Sequence, residues 1–340
     1  MHAFARRSWL VASLLAIAVP GPWAATAWAA KPKGLCAAAT DGQAAPPYLV
    51  VLSAFPAELA PLVAAAEIES TIQIDARQYY VGRLDGVSVV LGLMGIGVVN
   101  ARTAARSLLA SLDVAGLLVS GVAGSPQRIG DVVLATDWVE GDDAQVFPVN
   151  GALFALAERG GAALPTPLES CTLVPPGAVD AHVVCMPYQP TIVFGGHGVS
   201  NEDFGSFPCV PGGGDVYGCE LPTLRRAATG RGAIAAAQVP PDVEDMESAA
   251  VAGAAAEHRV PFLAVRAVSD GAGDPLGDRG FPYQFADYYR LASQNAGTVT
   301  HAIVGELGSL GLARDGSARR ICRLLTERRW RRAAKRIARR

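Results

Sequence analysis

The sequence predicts one α/β domain built around a largely parallel central sheet. Short, unbroken apolar runs that are typical of buried strands alternate with helical segments rich in small residues. Of the 340 residues, 51% are apolar and 18% are charged, a balance that excludes a disordered or fibrous chain. Ligands in such folds bind beyond the carboxyl ends of the strands, so functional residues are expected there.

The predicted elements follow one another along a domain that we place at residues 47–312. Its first half holds strands at 48–52, 78–83, 87–91 and 116–120 and helices at 58–66 and 100–112. Prolines interrupt every period between 141 and 190, which predicts a loop-rich stretch with one short helix at 152–159. The second half holds a strand at 191–194, a Gly- and Pro-rich loop at 205–218, a helix at 246–258 and an apolar strand at 260–268.

The first thirty residues are expected to be a secretory signal peptide. Arg6 and Arg7 precede an apolar run at 9–19, and Ala27-Trp28-Ala29 forms a small-x-small cleavage signal. The run is too short to span a membrane, where about 20 residues are needed. The arginine pair, followed by Ser8-Trp9-Leu10, resembles the twin-arginine export consensus, with the general secretory route as the alternative. We expect a periplasmic or secreted protein, with residues 31–46 as a surface leader.

Six cysteines remain after such a cleavage. An even number in an oxidising compartment favours disulfides over metal ligation. Spacing alone leaves the pairing open, and the choice of Cys171 with Cys185 and of Cys209 with Cys219 rests only on short Pro- and Gly-rich loops, which close at low entropic cost. Cysteine as an ordinary buried apolar residue is the alternative. The full set is Cys36, Cys171, Cys185, Cys209, Cys219 and Cys322.

A basic tail at residues 313–340 follows an acidic body. It holds 12 of the 29 Lys and Arg and 2 of the 31 Asp and Glu, which leaves a net charge of −12 on the rest of the chain. A solvated terminus is favoured over an amphipathic helix on an anionic membrane. Nucleic-acid binding is not expected, because the body is acidic and no base-stacking platform accompanies the arginines.

Several common catalytic motifs are absent from the sequence. There is no G-x-S-x-G elbow, no phosphate-binding G-x-x-x-x-G-K-[ST] loop and no histidine pair with metal-ligand spacing, so neither a metal nor a cofactor is predicted. Residues 92–97, Gly-Leu-Met-Gly-Ile-Gly, have the order G-x-x-G-x-G. A tight strand-to-helix turn is therefore favoured over a dinucleotide-binding loop.

Acidic residues stand at the carboxyl ends of predicted apolar strands. Glu58 and Asp270 each come just after a strand, and Glu247 begins a helix, where a negative charge favours the positive end of the macrodipole. Each of these residues also has a purely structural explanation. Asp270 is suited to a turn, and Glu247 is suited to the first turn of a helix. Arg266, inside an apolar strand, requires a carboxylate partner.

The segment from Asp245 to Pro275 closely resembles the signature of the purine nucleoside phosphorylase and methylthioadenosine/S-adenosylhomocysteine nucleosidase superfamily. A Met-Glu helix start, a Val-Pro-Phe strand and an Arg-Ala-x-Ser-Asp strand end carry this resemblance. Three further stretches fit in order, at 52–59, 92–101 and 120–137. The resemblance implies a three-layer α/β/α fold with a mixed, largely parallel sheet, and a homodimer whose neighbouring loop, in the stretch 141–190, closes the 5′ side of the pocket.

The resemblance also implies roles for single residues toward a purine nucleoside. Asp270 protonates the departing base, Glu58 activates the attacking water and Arg266 lies near that water. The residues implied to bind substrate are Met246, Glu247, Phe204, Ser269 and Gly121, with Glu247 on the ribose hydroxyls and Phe204 stacked on the base. Asn201 and Glu202 depart from the usual Ser-Gly-Asp pattern before Phe204.

Water is favoured over phosphate as the nucleophile. Phosphorylases of this superfamily place an arginine just before the turn that is 121–124 here, where this chain has Val119 and Ser120. Val122 stands where nucleosidases usually have serine, and Arg128 offers an alternative phosphate ligand. The sequence therefore predicts an exported purine nucleosidase, with a phosphorylase and a non-catalytic nucleoside-binding or storage protein as the alternatives.

Overall fold

The computed structural model describes residues 47–141, 145–202, 205–221 and 242–309. The predicted signal peptide, leader and basic tail lie outside these ranges, together with Cys36, Cys322 and Phe204. Within them, no helix has both the length and the apolar character needed to cross a membrane.

Single helices separate groups of one to four strands along the described residues. The first half comprises β1 (Tyr48–Ser53), α1 (Pro56–Ala65), β2 (Glu67–Ile74), β3 (Arg77–Leu84), β4 (Val87–Leu93), α2 (Val98–Ser111), β5 (Val114–Arg128), β6 (Val132–Leu134), β7 (Asp137–Glu140) and β8 (Phe147–Pro148). The second half comprises α3 (Gly151–Ala162), β9 (Cys171–Val174), β10 (His182–Cys185), β11 (Ile192–Phe194), β12 (His197–Ser200), α4 (Gly214–Tyr217), β13 (Val243–Asp245), α5 (Ser248–His258), β14 (Phe262–Ala272) and α6 (Gly280–Leu307).

The main sheet is mixed, with a parallel centre. Its path runs β2-β3-β4-β1-β5-β13-β12-β7-β8, and β14 pairs with β5 and β6. Strand β1 is parallel to β4 and β5, and β14 is parallel to β5, whereas β2, β3 and β4 form an antiparallel meander. Because the central strands run the same way, their carboxyl ends meet at one edge of the sheet, where a ligand site is expected.

The central strands are buried along nearly their whole length. Residues 49–53 of β1, the first ten residues of β5 and the first eight of β14 are all buried. Each fully buried Val or Leu side chain contributes about 1.5–3 kcal/mol. The helices that cover the sheet form two groups, with α6 packed against α1 and α3, and α2 packed against α5. The predicted three-layer α/β/α fold is confirmed.

Several elements differ from the sequence prediction, and the short elements β6, β7, β8, β12, α4 and β13 were not predicted. Strand β2 was missed because its residues are mostly exposed and lack an apolar period. The stretch 141–190 contains the expected helix, as α3, but also the antiparallel hairpin of β9 and β10. The long helix α6 was not predicted, although it buries fourteen residues against the core.

Two strands run past the points where the sequence suggested that they end. The sequence predicts a turn at 121–124, yet these residues lie inside β5, and Asp270 lies inside β14 rather than after it. The pairing of β5 with β14 extends from Phe262 to Ala272, with register shifts on either side of Asp270. The two strands thereby carry the residues around Gly121 and Asp270 side by side to the edge of the sheet.

Candidate active site

A cavity of about 260 Å³ lies at the carboxyl ends of the central strands. Residues that follow β1, β12 and β13 line it, together with the final parts of β5 and β14. Among the described residues that line it there is no Lys, Arg or His, and five are acidic: Glu58, Glu244, Asp245, Glu247 and Asp270. The cavity is therefore suited to a cationic or neutral ligand rather than to an anion.

Glu58 lines the cavity and is held by three backbone hydrogen bonds. It lies in the first turn of α1 and is 1% exposed. One carboxylate oxygen accepts hydrogen bonds from the backbone N–H groups of Ala54 (2.7 Å) and Phe55 (3.4 Å), and the other accepts from Val122 N–H (2.7 Å). Burial raises the pKa of Glu58 to about 8, against the opposing charge of Arg266 and with a smaller contribution from Glu247.

Arg266 has the carboxylate partners that the sequence required. It is fully buried, its Nη2 donates to Glu247 Oε2 at 3.1 Å, its Nε lies 2.7 Å from Asp245 Oδ2 and its Nη1 lies 3.8 Å from Glu58 Oε1. Burial by itself lowers the pKa of a guanidinium, but the three carboxylates outweigh this and raise the pKa of Arg266. The cation is not among the residues that line the cavity and acts on it through these carboxylates.

Glu247 connects the Arg266 cluster to the glycine-rich turn before α2. It is the N-cap residue of α5, and its Oε1 accepts from Gly97 N–H at 2.9 Å. Burial, opposed by Arg266 and reinforced by Asp245, raises the pKa of Glu247 to about 7. Residues 92–97 make the predicted turn from β4 into α2, with Gly97 at φ 99°. The backbone N–H of Gly97 in this turn thus donates a hydrogen bond to the Glu247 carboxylate.

Asp245 is a buried member of the cluster that the sequence did not single out. Its Oδ1 accepts from the N–H groups of Glu247 and Ser248, both at 3.1 Å, and from the Ser200 hydroxyl. It thereby satisfies the first N–H groups of α5, which begins two residues later than predicted. The sequence did contain a signal for Asp245. It lies two residues before Glu247, and the buried Arg266 requires carboxylate partners.

Two glycines of β5 make room for the charged side chains of β14. The parallel register places Gly121 opposite Arg266 and Gly124 opposite Asp270. A Cβ at residue 121 would lie 2.3 Å from Glu58 Oε1 and 2.4 Å from Arg266 Nη1, and one at residue 124 would lie 2.7 Å from Asp270 Oδ2. Gly121 is not a lining residue, and its function in this geometry is to allow the close approach of Glu58 and Arg266.

Asp270 lines the cavity and is not among the ion-pair partners of Arg266. Burial raises its pKa, the hydrogen bond from the Ser269 hydroxyl to Oδ1 at 2.7 Å opposes the rise, and the charge of Glu244 adds to it. Ser269 is buried and, like Asp270 and Met246, lines the cavity. A carboxyl group with a raised pKa next to a cavity is suited to donate a proton.

Two further ligand contacts were expected from the sequence, and one of them lies outside the described residues. Phe204, the expected stacking residue, lies outside the described residues; nearby Asn201 lines the cavity and donates to Glu244 at 2.6 Å. Arg128, the alternative phosphate ligand, is not a lining residue, pairs with Asp131 at 3.1 Å and lies over the Tyr188 ring at 4.5 Å.

The aromatic part of the cavity wall was not predicted. It consists of Phe55, Phe207, Tyr217, Phe281 and Phe285. No residue of the described part of the expected closing stretch, 145–190, lines the cavity of its own chain. Both suggested disulfides are present, Cys171–Cys185 in the hairpin of β9 and β10 and Cys209–Cys219 around α4. Cys209 and Cys219, which lie on either side of Tyr217, were the one sequence signal that this otherwise irregular segment has a fixed structure.

The α/β fold matches that of solved nucleosidases. The family model described as the Phosphorylase superfamily matches residues 48–305, and the chain belongs to that family. The predicted superfamily is thereby confirmed.

Similar proteins span most of the domain at low identity. An uncharacterised protein of Mycobacterium tuberculosis is 32% identical over 186 residues, covering 49% of this chain and 74% of the relative. The 5′-methylthioadenosine/S-adenosylhomocysteine nucleosidase of Shewanella pealeana is 23% identical over 260 residues, covering 76% of this chain and 98% of the relative.

Solved structures share the fold. The 5′-methylthioadenosine/S-adenosylhomocysteine nucleosidase of Neisseria meningitidis, solved in complex with methylthio-immucillin-A, superimposes with a TM-score of 0.53 at 22% identity. The match covers 76% of this chain and 98% of that one. This likeness establishes the common architecture. Function depends on the residues of the site rather than on the fold.

Proposed function

We propose that this protein is a purine nucleosidase, which hydrolyses the N-glycosidic bond of nucleosides such as 5′-methylthioadenosine or S-adenosylhomocysteine. The observation that carries the proposal is the presence, around one cavity, of two separate carboxyl groups with raised pKa values, Glu58 and Asp270. Glu247 lies in the same cavity, where a ribose would present its hydroxyl groups.

The two carboxyl groups suit the two proton transfers of the reaction. Asp270, whose pKa is raised by burial, donates a proton to the purine ring as the bond between the ribose C1′ and the base nitrogen breaks and the bond electrons leave with the base. Glu58, in its ionised form, accepts a proton from the water that adds to C1′. The products are the free base and the free sugar.

Glu247 supports the positive charge that develops on the sugar, and Arg266 acts on Glu58. Arg266 favours the ionised form of Glu58, which is the form that accepts a proton. Glu247 is fixed by Gly97 and Arg266, so its negative charge is preorganised beside the sugar. Such electrostatic stabilisation is usually the largest single contribution to catalysis.

Water suits this site better than phosphate. A phosphate dianion would face five carboxyl groups and no cation among the described lining residues. Arg128 is held by Asp131 and Tyr188. The similar proteins named as 5′-methylthioadenosine/S-adenosylhomocysteine nucleosidases support this choice.

The proposal is tested by measuring the release of adenine or hypoxanthine from a panel of purine nucleosides, including 5′-methylthioadenosine, with and without phosphate. We expect release that is independent of phosphate and falls at least a hundredfold in Asp270→Asn, since general acid catalysis contributes about 10²–10⁴. Asp113→Asn, an exposed residue outside the cavity, is the matched control and is expected to keep full activity.

Each alternative function has its own outcome in this assay. Release only in the presence of phosphate, with formation of a sugar 1-phosphate, would identify a phosphorylase. Binding of nucleosides without release in either buffer would identify a binding or storage protein.

We also infer that the protein works outside the cytoplasm. The disulfides Cys171–Cys185 and Cys209–Cys219 support this, because such bonds persist in oxidising compartments. Localisation of the full chain by fractionation, with Arg6 and Arg7 replaced by lysine, tests the twin-arginine route. The expected homodimer remains a prediction that sedimentation of the purified chain tests.

A further inference from the structure

We propose that Glu244 is a positioning residue that favours the protonated form of Asp270 by holding a second negative charge across Gly124 from it. This inference rests on the proposed function, in which Asp270 is the proton donor. Glu244, Gly124 and Asp270 all line the cavity. Glu244 was not predicted as a site residue.

These three residues form one row across three neighbouring strands. Gly124 of β5 is the register partner of Asp270 on β14, and it is also the register partner of Glu244 on β13. Residues that lie directly opposite each other on adjacent strands have their side chains on the same face of the sheet. The side chains of Glu244 and Asp270 therefore share one face, with only the glycine between them.

Gly124 leaves the space between the two acidic residues open. A Cβ at residue 124 would lie 2.7 Å from Asp270 Oδ2, so the Asp270 carboxyl group already lies over the backbone of β5. Adjacent strands are about 4.8 Å apart, and two such spacings separate the backbones of Glu244 and Asp270 by about 10 Å. At this distance, with no side chain between them, the charge of one carboxylate acts on the other.

Asn201 fixes Glu244 without neutralising it. The Asn201 side chain donates from Nδ2 to Glu244 Oε1 at 2.6 Å, and the Asn201 N–H donates to the carbonyl oxygen of Asp245 at 2.9 Å. Two successive residues of β13 are thereby held by one asparagine. The amide carries no net charge, and none of the ion pairs between described residues includes Glu244. The negative charge is therefore oriented rather than paired within the described residues.

The electrostatic surroundings of Asp270 are consistent with this role. Burial raises the pKa of Asp270, the hydrogen bond from Ser269 opposes the rise, and the charge of Glu244 adds to it. A general acid is effective when it still holds its proton at the working pH. Two like charges on one face make loss of that proton less favourable.

The other charged groups at this end of the sheet have partners of their own. The lining residues that α6 contributes, Phe281 and Phe285, are uncharged. The charged groups and their partners are Arg266 of β14 with Asp245 and Glu247, Glu58 of α1 with backbone N–H groups, Arg128 of β5 with Asp131, and Asp274 with the Tyr288 hydroxyl of α6.

The inference is tested with Glu244→Gln, which removes the charge but keeps an oxygen that can accept from Asn201. The measured quantity is the ratio of kcat/KM in the variant to kcat/KM in the wild type, across a range of pH. Glu58 titrates in both chains, so the ratio isolates the effect on Asp270. We expect a ratio near one at acidic pH, where Asp270 is protonated in both chains. At alkaline pH we expect a fall of about two- to fifteenfold, as Coulomb's law gives for unit charges about 10 Å apart at dielectric constants of about 80 to about 20.

Two variants and a change of salt serve as controls. Glu244→Asp keeps the charge and is expected to restore the wild-type profile. Glu67→Gln removes the same charge from the exposed strand β2, four strands away from β13 along the sheet, and is expected to give a ratio of one at every pH. Raising the salt from about 0.1 M to about 1 M shortens the Debye length from about 10 Å to about 3 Å and should return the alkaline ratio toward one. A Glu244→Gln ratio that falls equally at every pH would show a merely structural role and overturn the proposal.

A second measurement does not depend on activity. Carbon NMR of aspartate-labelled chains titrates Asp270 directly, and its signal is identified by its loss in Asp270→Asn. We expect a lower pKa for Asp270 in Glu244→Gln than in the wild type. An unchanged pKa in a protein that does release base would reject the role of Glu244 and leave the proposed function intact. A lowered pKa in a protein whose wild type releases no base would support the charge pair and reject the nucleosidase.

Discussion

At the scale of single residues, the site depends on small side chains as much as on charged ones. Glu58, Arg266 and Asp270 reach their positions only because Gly121 and Gly124 leave space across the β5–β14 pair. A core packed at native density has no reserve volume in which an added methyl group can be placed. Glu58, Arg266 and Asp270 can therefore take these positions because the facing residues of β5 are glycines, which have no side chain.

Gly121→Ala is predicted to abolish most activity without unfolding the protein. The added Cβ would lie within 2.4 Å of both Glu58 and Arg266, so at least one of them must move. Since misplacement of a catalytic group by about 1 Å costs about a hundredfold, we expect a loss of kcat of that order. Steady-state kinetics and circular dichroism measure the two effects separately.

Gly151→Ala is the matched control for that substitution. Gly151 begins α3, and a Cβ there meets nothing within 4 Å. Alanine favours a helix relative to glycine, so unchanged kinetics and equal or slightly greater stability are expected. A Gly121→Ala enzyme with full activity would contradict the packing argument.

At the scale of elements, the two disulfides have different places relative to the site. Cys171–Cys185 joins β9 to β10, and no residue of that hairpin lines the cavity. Cys209–Cys219 closes the segment that contributes Tyr217 to the cavity wall. One bond is therefore expected to affect stability alone and the other to affect substrate selection as well.

The double variant Cys171→Ser/Cys185→Ser is predicted to lose about 3 kcal/mol of unfolding free energy, because the crosslink constrains the unfolded chain. Its KM for methylthioadenosine should not change. The corresponding Cys209→Ser/Cys219→Ser variant should raise that KM. Without this disulfide, residues 209–219 rely on the contact of Asp215 with Arg290 of α6 to keep their position. Urea unfolding and initial-rate kinetics provide the two measurements, and equal KM changes in both variants would refute the distinction.

At the scale of the whole molecule, the buried acidic cluster makes stability depend on pH. The folded protein raises the pKa of Glu58 to about 8 and that of Glu247 to about 7, from an ordinary value of 4.5. Between these values the folded state binds more protons than the unfolded state. The stabilisation is complete below about pH 4.5 and is lost as the pH rises through the folded-state values.

We therefore predict that the wild-type free energy of unfolding falls between pH 5 and pH 8, by up to about 1.4 kcal/mol per pH unit for each group. Glu58→Gln removes one titrating group, so its slope over this range should be smaller. Glu67→Gln, on the exposed strand β2, is the control and should keep the wild-type slope. Urea unfolding at several pH values measures the slopes, and identical slopes in Glu58→Gln and the wild type would contradict the prediction.

The sequence allowed prediction of those features that depend on local pattern. The unbroken apolar runs that became β1, β5 and β14 were recognisable because strands buried on both faces exclude polar residues. The exposed strand β2 and the helix α6 were missed. In β2 no apolar period marks the strand. The helix α6 is defined by its packing against α1 and α3, which the sequence does not show. The need of Arg266 for carboxylate partners was also evident, because a buried charge has a high cost wherever it lies.

By itself, the sequence determined the fold class, the superfamily and the presence of acidic residues at the ends of apolar strands, since these follow from composition, period and motif. Only the tertiary structure decided that Asp245 joins the Arg266 cluster, that Gly121 faces Arg266 and that aromatic side chains line part of the cavity. These features arise from contacts between residues far apart in the chain. Strand register and loop anchoring set such contacts, and neither leaves a periodic pattern in the sequence.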